Sequence, residues 1–172
     1  FRRVLFRSNE YPNISLELSK NPLPVDSRTF RSIISQTSFA SSTDESRPIL
    51  TGINFKITGD IMECNSTDSY RLARRIITLN QEVDDNYNIV VPSKNLLEFV
   101  KIMDDSEDNI ELHIFNNKIL IKDENILFQS RLISGTYPNT ANLLPDEFIL
   151  NIDVDVNNTS NFFYVGIISI LS

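Results

Sequence analysis

The chain has 172 residues, of which 41% are apolar, so it is long enough to bury a core of ordinary size. Its formal net charge of -7 argues against a uniformly basic, nucleic-acid-binding surface, although one face can still be basic. Because Cys64 is the one cysteine and His113 the one histidine, the sequence excludes an internal disulfide and a metal cluster built on either residue type.

The two ends differ in composition from everything between them. Residues 1–8 carry three arginines and no acidic residue. We interpret them as a translated sequencing-library adapter, with a genuine basic N-terminal arm as the alternative. Residues 159–172 form an uncharged apolar tail that is too short to span a bilayer comfortably. We interpret this tail as frameshifted sequence or as an orphan strand.

The first predicted element is a strand. Residues 14–19 alternate apolar and polar side chains, as a half-buried strand does. Pro22 and Pro24 are then predicted to break the chain.

A helix is predicted next. Asp26 or Ser27 can cap its N-terminus, and the helix is expected to continue through Phe39. Helical spacing places four side chains on its core face: Phe30, Ile33, Ile34 and Thr37.

Three strands are predicted after this helix. Strand-like runs cover residues 50–58, 60–66 and 70–79. Gly59-Asp60 is expected to form a tight turn between the first two, because glycine readily adopts the positive φ that hairpin turns need.

The same order of elements then recurs. Residues 88–91 are a short apolar strand, and Pro92-Ser93 opens a second helix that runs through Met103. The core face of this helix is predicted to be Leu96, Leu97, Val100 and Met103. Three more strands are predicted at about 109–115, 118–123 and 126–133. Asn116-Asn117 is expected to join the first two as a type I′ turn.

This repeated order predicts an α+β fold. A duplicated β-α-β-β-β unit indicates two similar halves, with two helices packed side by side on antiparallel sheets. A longer repeat is also visible, because Tyr11-Pro12-Asn13 recurs 126 residues later as Tyr137-Pro138-Asn139. Each copy precedes a strand-like segment, which predicts tandem domains of about that length.

The acidic residues offer two candidate enzyme sites. Four of them lie within residues 104–108, but an acidic loop after a helix is more often a solvated turn than a metal site. Asp68 lies close to Arg71 in sequence without an evident nucleophile or base. We therefore predict a protein that is not an enzyme and uses no cofactor or metal, with a hydrolase that uses scattered carboxylates as an alternative.

Four motifs follow one another within a stretch of about residues 10–156. They are Arg47–Ile53, Asn65–Ala73, Ile89–Lys94, and Ser134–Asn139 with Leu144-Pro145. The second is the most diagnostic, because it contains a Thr-Asp-x-His/Tyr-Arg-Leu-Ala run. Together these stretches resemble the bacterial DNA sliding clamp, the beta subunit of DNA polymerase III.

The resemblance implies a domain order and a set of partners. Clamps are rings of two identical subunits, each with three similar domains, whose helices line a hole for duplex DNA. The chain would be a fragment with residues 9–14 from the N-terminal domain, 15–145 as the middle domain and 146–158 from the C-terminal domain. Its expected partners are duplex DNA, bound without sequence specificity, and the replicative polymerase and clamp-loader subunits, bound through short peptide motifs. We expect a cytoplasmic protein without a membrane partner.

The resemblance also implies two sites. A clamp holds DNA through diffuse positive charge, and Lys94 fits this role best by motif position. The basic residues predicted to face DNA are Lys94, Arg28, Arg31 and Lys101. The predicted peptide-binding pocket consists of Leu50, Thr67, Ser69, Tyr70, Arg71, Leu72 and Pro145. A generic α+β protein-binding module without a DNA role is the alternative function.

Overall fold

The computed structural model describes residues 17–103 and 108–140. Within them lie six strands and two α-helices, joined by loops and short 3-10 turns. In chain order they are β1 (Leu23–Asp26), α1 (Ser27–Thr37), β2 (Gly52–Thr67), β3 (Leu72–Pro92), α2 (Ser93–Ile102), β4 (Asn109–Ile114), β5 (Lys118–Asp123) and β6 (Ile126–Arg131). One antiparallel sheet has the order β1-β4-β5-β6, and the other consists of β2 and β3. The predicted class, two helices on antiparallel sheets, is confirmed.

The two halves are joined by an exchange of their first strands. Strand β1 belongs to the first half but pairs with β4 of the second, with Leu23 opposite Leu112. The end of β3, which opens the second half, pairs with the beginning of β2, so that Gly52 lies opposite Pro92. Each half therefore completes the sheet of the other.

Helix α1 begins at the predicted cap. The Asp26 carboxylate accepts a hydrogen bond from the Thr29 N–H at 2.7 Å, and this bond satisfies one of the free donors at the helix start. All four predicted core residues of the helix are buried. The helix ends at Thr37, two residues earlier than predicted, and the chain continues as a short 3-10 turn that contains Phe39.

Helix α2 begins at the predicted residue and ends at Ile102, one residue earlier than predicted, and its core face differs at one predicted position. The predicted core residues that pack inside are Leu96, Val100 and Met103. Leu97 was predicted wrongly, since 38% of it is exposed, and fully buried Phe99 occupies the core instead. The Phe99 ring meets the Phe30 ring of α1 edge-on, with 6.3 Å between centroids. The helix is therefore rotated toward α1 relative to the predicted orientation.

The first strand lies farther along the chain than predicted. Residues 17–19 are not in a strand, and 14–16 lie outside the described residues. The strand that enters the sheet is β1, which contains Pro24, so the prediction that this proline breaks the chain was wrong. Proline has no N–H to donate, but β1 is an edge strand and needs ladder hydrogen bonds on one side alone.

The predicted strands between residues 50 and 79 form β2 and the first part of β3. Residues 48–51 are a 3-10 turn, so β2 begins at Gly52. The extended backbone continues through Gly59-Asp60, so β2 does not end there. The tight turn predicted between two separate strands was therefore wrong. Gly59 nevertheless has a φ of 59°, and the register with β3 shifts on both sides of it. The glycine thus marks a break in the ladder at the predicted position.

The β4–β5 hairpin closes at Asn116-Asn117, as predicted. The Phe115 N–H donates to the Lys118 carbonyl at 2.9 Å across the two-residue loop. Neither asparagine has a positive φ, however, and a type I′ turn requires it at both central positions. The predicted turn type was therefore wrong.

A main core joins both helices to both sheets. Phe30 of α1 stacks on Phe55 of β2 with 6.4 Å between ring centroids, and Phe99 of α2 contacts Phe128 of β6 at 5.0 Å. A second, smaller cluster lies beside it and consists of Leu50, Val90 and Tyr137, with Ile49 and Ile133 packed against them. Within the described residues, neither helix is long and apolar enough to cross a membrane.

Candidate functional site

The turn of residues 68–71 joins β2 to β3, and Asp68 organises it. One oxygen of the Asp68 carboxylate accepts the N–H groups of Tyr70 and Arg71, both at 3.0 Å. The other oxygen accepts the Arg71 Nε–H at 2.9 Å. A single carboxylate therefore sets both the backbone of the turn and the direction of the Arg71 side chain.

The ionisation of Asp68 follows from these contacts. Partial burial alone raises the pKa of Asp68, but the N–H donors of Tyr70 and Arg71 and the guanidinium charge of Arg71 outweigh it. The net effect holds the pKa below the ordinary value of 3.8, so the carboxylate is charged at neutral pH. Each of these hydrogen bonds holds either the backbone of the turn or the Arg71 side chain.

Thr67 closes the turn from the other side. Its hydroxyl donates to the Arg71 carbonyl at 2.7 Å and accepts the Ser69 N–H at 3.1 Å. Ser69 has a φ of 81°, a left-handed conformation that L-residues adopt at a cost. The turn is therefore held in one conformation by side-chain bonds at both ends.

The predicted pocket residues differ in their exposure and in whether they line a cavity. Tyr70 is 84% exposed, and half of the Arg71 side chain is exposed. Leu50 and Leu72 are buried near the ends of the two strands. A cavity of about 390 Å³ is lined by Leu50, Ser69, Tyr70 and Arg71 together with the loop of residues 41–47. Thr67 lies at the base of the turn, whereas Pro145 lies outside the described residues.

Phe39 is a residue of this surface that the sequence did not indicate. The Arg71 guanidinium carbon lies 5.9 Å from the centre of the Phe39 ring, a cation–π distance. Both residues also line a larger cavity, of about 770 Å³, that reaches Lys94 and Leu97 on α2. An aromatic residue at the end of the predicted helix was the available signal, but its placement beside Arg71 depends on the tertiary fold.

The basic residues of the two helices have different surroundings. Lys94 and Arg28 are exposed. Arg31 instead donates to the carbonyl oxygens of Val100 at 3.0 Å and Met103 at 2.9 Å, at the C-terminus of α2. Lys101 pairs with Glu98 at 2.7 Å, on the exposed surface of the same helix. The four predicted DNA-facing residues are thus not equivalent.

The sequence of residues 24–139 matches the family described as DNA polymerase III beta subunit, central domain. The chain belongs to this family. The beta sliding clamp of Bacillus subtilis strain 168 is 39% identical over 155 residues, which are 90% of this chain and 40% of that protein. The beta sliding clamp of Streptococcus pneumoniae TIGR4 is 39% identical over 152 residues, with 88% and 40% covered.

The fold agrees with this family. The crystal structure of the Bacillus subtilis DNA polymerase sliding clamp matches with a TM-score of 0.79 and 38% identity, covering 83% of this chain and 37% of that one. The resemblance to the sliding clamp stated from the four motifs is thereby confirmed. The chain spans about 40% of the length of the relatives named above.

Membership of the beta-subunit family agrees with the prediction of a non-catalytic polymerase subunit. Within residues 17–103 and 108–140, no three His, Cys, Asp or Glu side chains are grouped to hold a metal ion. Burial raises the pKa of the Cys64 thiol, so the thiol stays protonated inside the core. Most of the acidic run at 104–108, from 104 to 107, lies outside the described residues.

Proposed function

We propose that this chain is part of a sliding clamp that encircles duplex DNA as a ring of two copies and acts as a polymerase processivity factor. Residues 15–145 form the middle domain, with 9–14 and 146–158 from the neighbouring domains. The clamp works in the cytoplasm and tethers the replicative polymerase and clamp-loader subunits, which bind through short peptide motifs. Family membership over residues 24–139 supports the proposal.

The turn of residues 68–71 is the observation that carries the peptide-binding part of this proposal. It presents an exposed Tyr70 ring and a half-exposed Arg71 guanidinium beside a cavity that reaches buried Leu50. Such a surface offers a short peptide both apolar contact and hydrogen-bond donors. Because Asp68 and Thr67 already fix the turn, a peptide would bind without first ordering it.

The DNA-facing part of the proposal concerns the two helices. A ring that slides needs diffuse charge and no base contacts, since its hold on DNA is topological. Lys94 and Arg28 are exposed on α2 and α1, and helix packing places these elements side by side. Arg31 contributes less to phosphate contacts than Lys94 does, because its guanidinium bonds two backbone carbonyls at the C-terminus of α2, and Lys101 contributes less because it pairs with Glu98.

Substitution of Arg71 tests the proposed peptide site. The probe is a fluorescent peptide that carries the clamp-binding motif of the Bacillus subtilis replicative polymerase, with binding followed by anisotropy. We expect Arg71→Ala to weaken binding about tenfold, because it removes a charged hydrogen-bond donor from the wall of the cavity. Arg75→Ala, which removes the same charge from an exposed position on β3, is the matched control. Equal affinities of these two variants and the wild-type chain would rule out a peptide site at this turn.

A further inference from the structure

The segment that follows β6 is anchored beneath the peptide-binding turn. Its Ile133 N–H donates to the Val90 carbonyl at 2.8 Å, and its Tyr137 ring packs in the small cluster with Leu50 and Val90. Tyr137 belongs to the Tyr-Pro-Asn motif that the sequence repeats, and the proposed function does not by itself require this residue. Its packing nevertheless connects it to Leu50, one wall of the proposed pocket.

The hydroxyl of Tyr137 makes a second connection to the site. It accepts the backbone N–H of Thr67 at 3.0 Å in a buried position. Burial raises the pKa of Tyr137 to about 12, so the hydroxyl stays neutral in the physiological range. Loss of this hydroxyl would leave a buried N–H without its acceptor, which is more costly than the loss of an exposed hydrogen bond.

Thr67 connects the Tyr137 hydroxyl to the turn of residues 68–71. Its backbone N–H is held by Tyr137, while its hydroxyl bonds both the Ser69 N–H and the Arg71 carbonyl. A displacement of Thr67 would therefore move both ends of the turn. Hydrogen bonds thus connect Tyr137 through Thr67 to Ser69 and Arg71, which line the proposed pocket.

We propose that Tyr137 is a positioning residue of the peptide site, whose hydroxyl fixes Thr67 and thereby the turn that presents Tyr70 and Arg71. This inference rests on the proposed function. Tyr137 does not need to touch the peptide. It acts on affinity by keeping the turn in its binding geometry, and its ring supports Leu50 on the apolar side.

The test compares the wild-type chain with Tyr137→Phe, which keeps the ring and removes the hydroxyl. Two quantities are measured in each protein: amide hydrogen exchange at Thr67 by NMR, and affinity for the polymerase peptide described above. We expect Thr67 exchange to accelerate at least about tenfold and affinity to fall about fivefold to tenfold in Tyr137→Phe. The control is Thr37→Val, which removes a buried hydroxyl bond to the Ile33 carbonyl in α1 and should change neither quantity more than about twofold.

The outcomes separate this inference from the proposed function. If the wild-type chain binds the peptide and Tyr137→Phe binds it equally well, Tyr137 has no positioning role and the proposed function stands. An equal loss of affinity in Thr37→Val would also overturn the inference, because general destabilisation would then explain both variants. If the wild-type chain itself does not bind, the proposed function is wrong and the positioning role falls with it.

Discussion

Asp68 holds together the turn that presents the exposed side chains of the candidate site. Its carboxylate accepts two backbone N–H groups and the Arg71 side chain, so the shape of the turn and the position of the guanidinium depend on one ionised group. An amide at this position has one oxygen instead of two and no charge. It could not accept from both the backbone and the guanidinium in the same geometry.

Replacement of Asp68 should have a pH-dependent effect. Because the folded pKa of Asp68 is below 3.8, its ionised form stabilises the fold fully above that value, and the contribution disappears as the pH falls through the lower folded value. We expect Asp68→Asn to lower the free energy of unfolding by about 1 kcal/mol at pH 7. Urea denaturation at pH 7 and at about pH 2.5 measures the difference, which should shrink at the lower pH.

Asp84→Asn provides the control for that experiment, since Asp84 is an exposed carboxylate on β3. Its effect should stay within about 0.5 kcal/mol at both values of pH. A constant difference between wild type and Asp68→Asn over the whole pH range would contradict the structural role of the ionised carboxylate.

The sequence predicted the residues of the turn but not how they are held. Asp68, Tyr70 and Arg71 are adjacent in one motif, so their proximity needs no tertiary information. The Thr67–Tyr137 bond joins positions 70 residues apart, and periodicity within one element has no bearing on such a pair. Phe39 escaped prediction for the same reason, because it meets Arg71 from another part of the chain.

At the scale of elements, one basic residue of the two helices holds them together and another lies in solvent. Arg31 of α1 bonds two carbonyl oxygens at the end of α2, where the last carbonyls lack partners within the helix. Lys94 lies exposed near the start of α2. Arg31 therefore joins the two helices, whereas Lys94 is exposed to solvent.

Substitution at these two positions should separate stability from DNA binding. Arg31→Met should lower the free energy of unfolding by about 1–2 kcal/mol and leave the salt dependence of duplex binding unchanged. Lys94→Gln should leave stability within about 0.5 kcal/mol of wild type and reduce the slope of log affinity against log salt by about 1. Thermal melts measure the stability, and anisotropy with a short labelled duplex over a series of salt concentrations measures the slope. The reverse pattern would show that Arg31, not Lys94, makes the phosphate contact.

The existence of both helices followed from the sequence, whereas the orientation of α2 and the position of the first strand did not. The core face of α1 was correct because its apolar residues occupy one stripe. In α2 the run Leu96-Leu97 and the nearby Phe99 make two stripes possible, and the edge contact between Phe99 and Phe30 selects one. Pro24 lies in a strand because β1 is at a sheet edge, and strand order is not visible in a local pattern.

At the scale of the molecule, both halves share one main core. Phe30 stacks on Phe55 and also meets Phe99, so α1, β2 and α2 converge on the same three rings. The exchange of first strands links the halves a second time. We infer that neither half has a separate core and that the described domain unfolds as one unit.

Truncation of a core ring tests this cooperativity. Phe99→Ala should lower the free energy of unfolding by about 3–5 kcal/mol and destabilise strands of both sheets together. Far-UV circular dichroism and tyrosine fluorescence, which is unobscured because the chain has no tryptophan, should give coincident unfolding curves in wild type. Two separated transitions would contradict a shared core.

We propose that the turn between β2 and β3 is part of a clamp peptide site. The most direct measurement is an NMR titration of the uniformly labelled wild-type chain with the polymerase peptide. We expect saturable shifts concentrated at residues 67–72 and at Leu50, with smaller changes at Tyr137. Saturable shifts confined to another surface, such as residues 81–87 of β3, or no shifts at millimolar peptide, would contradict it.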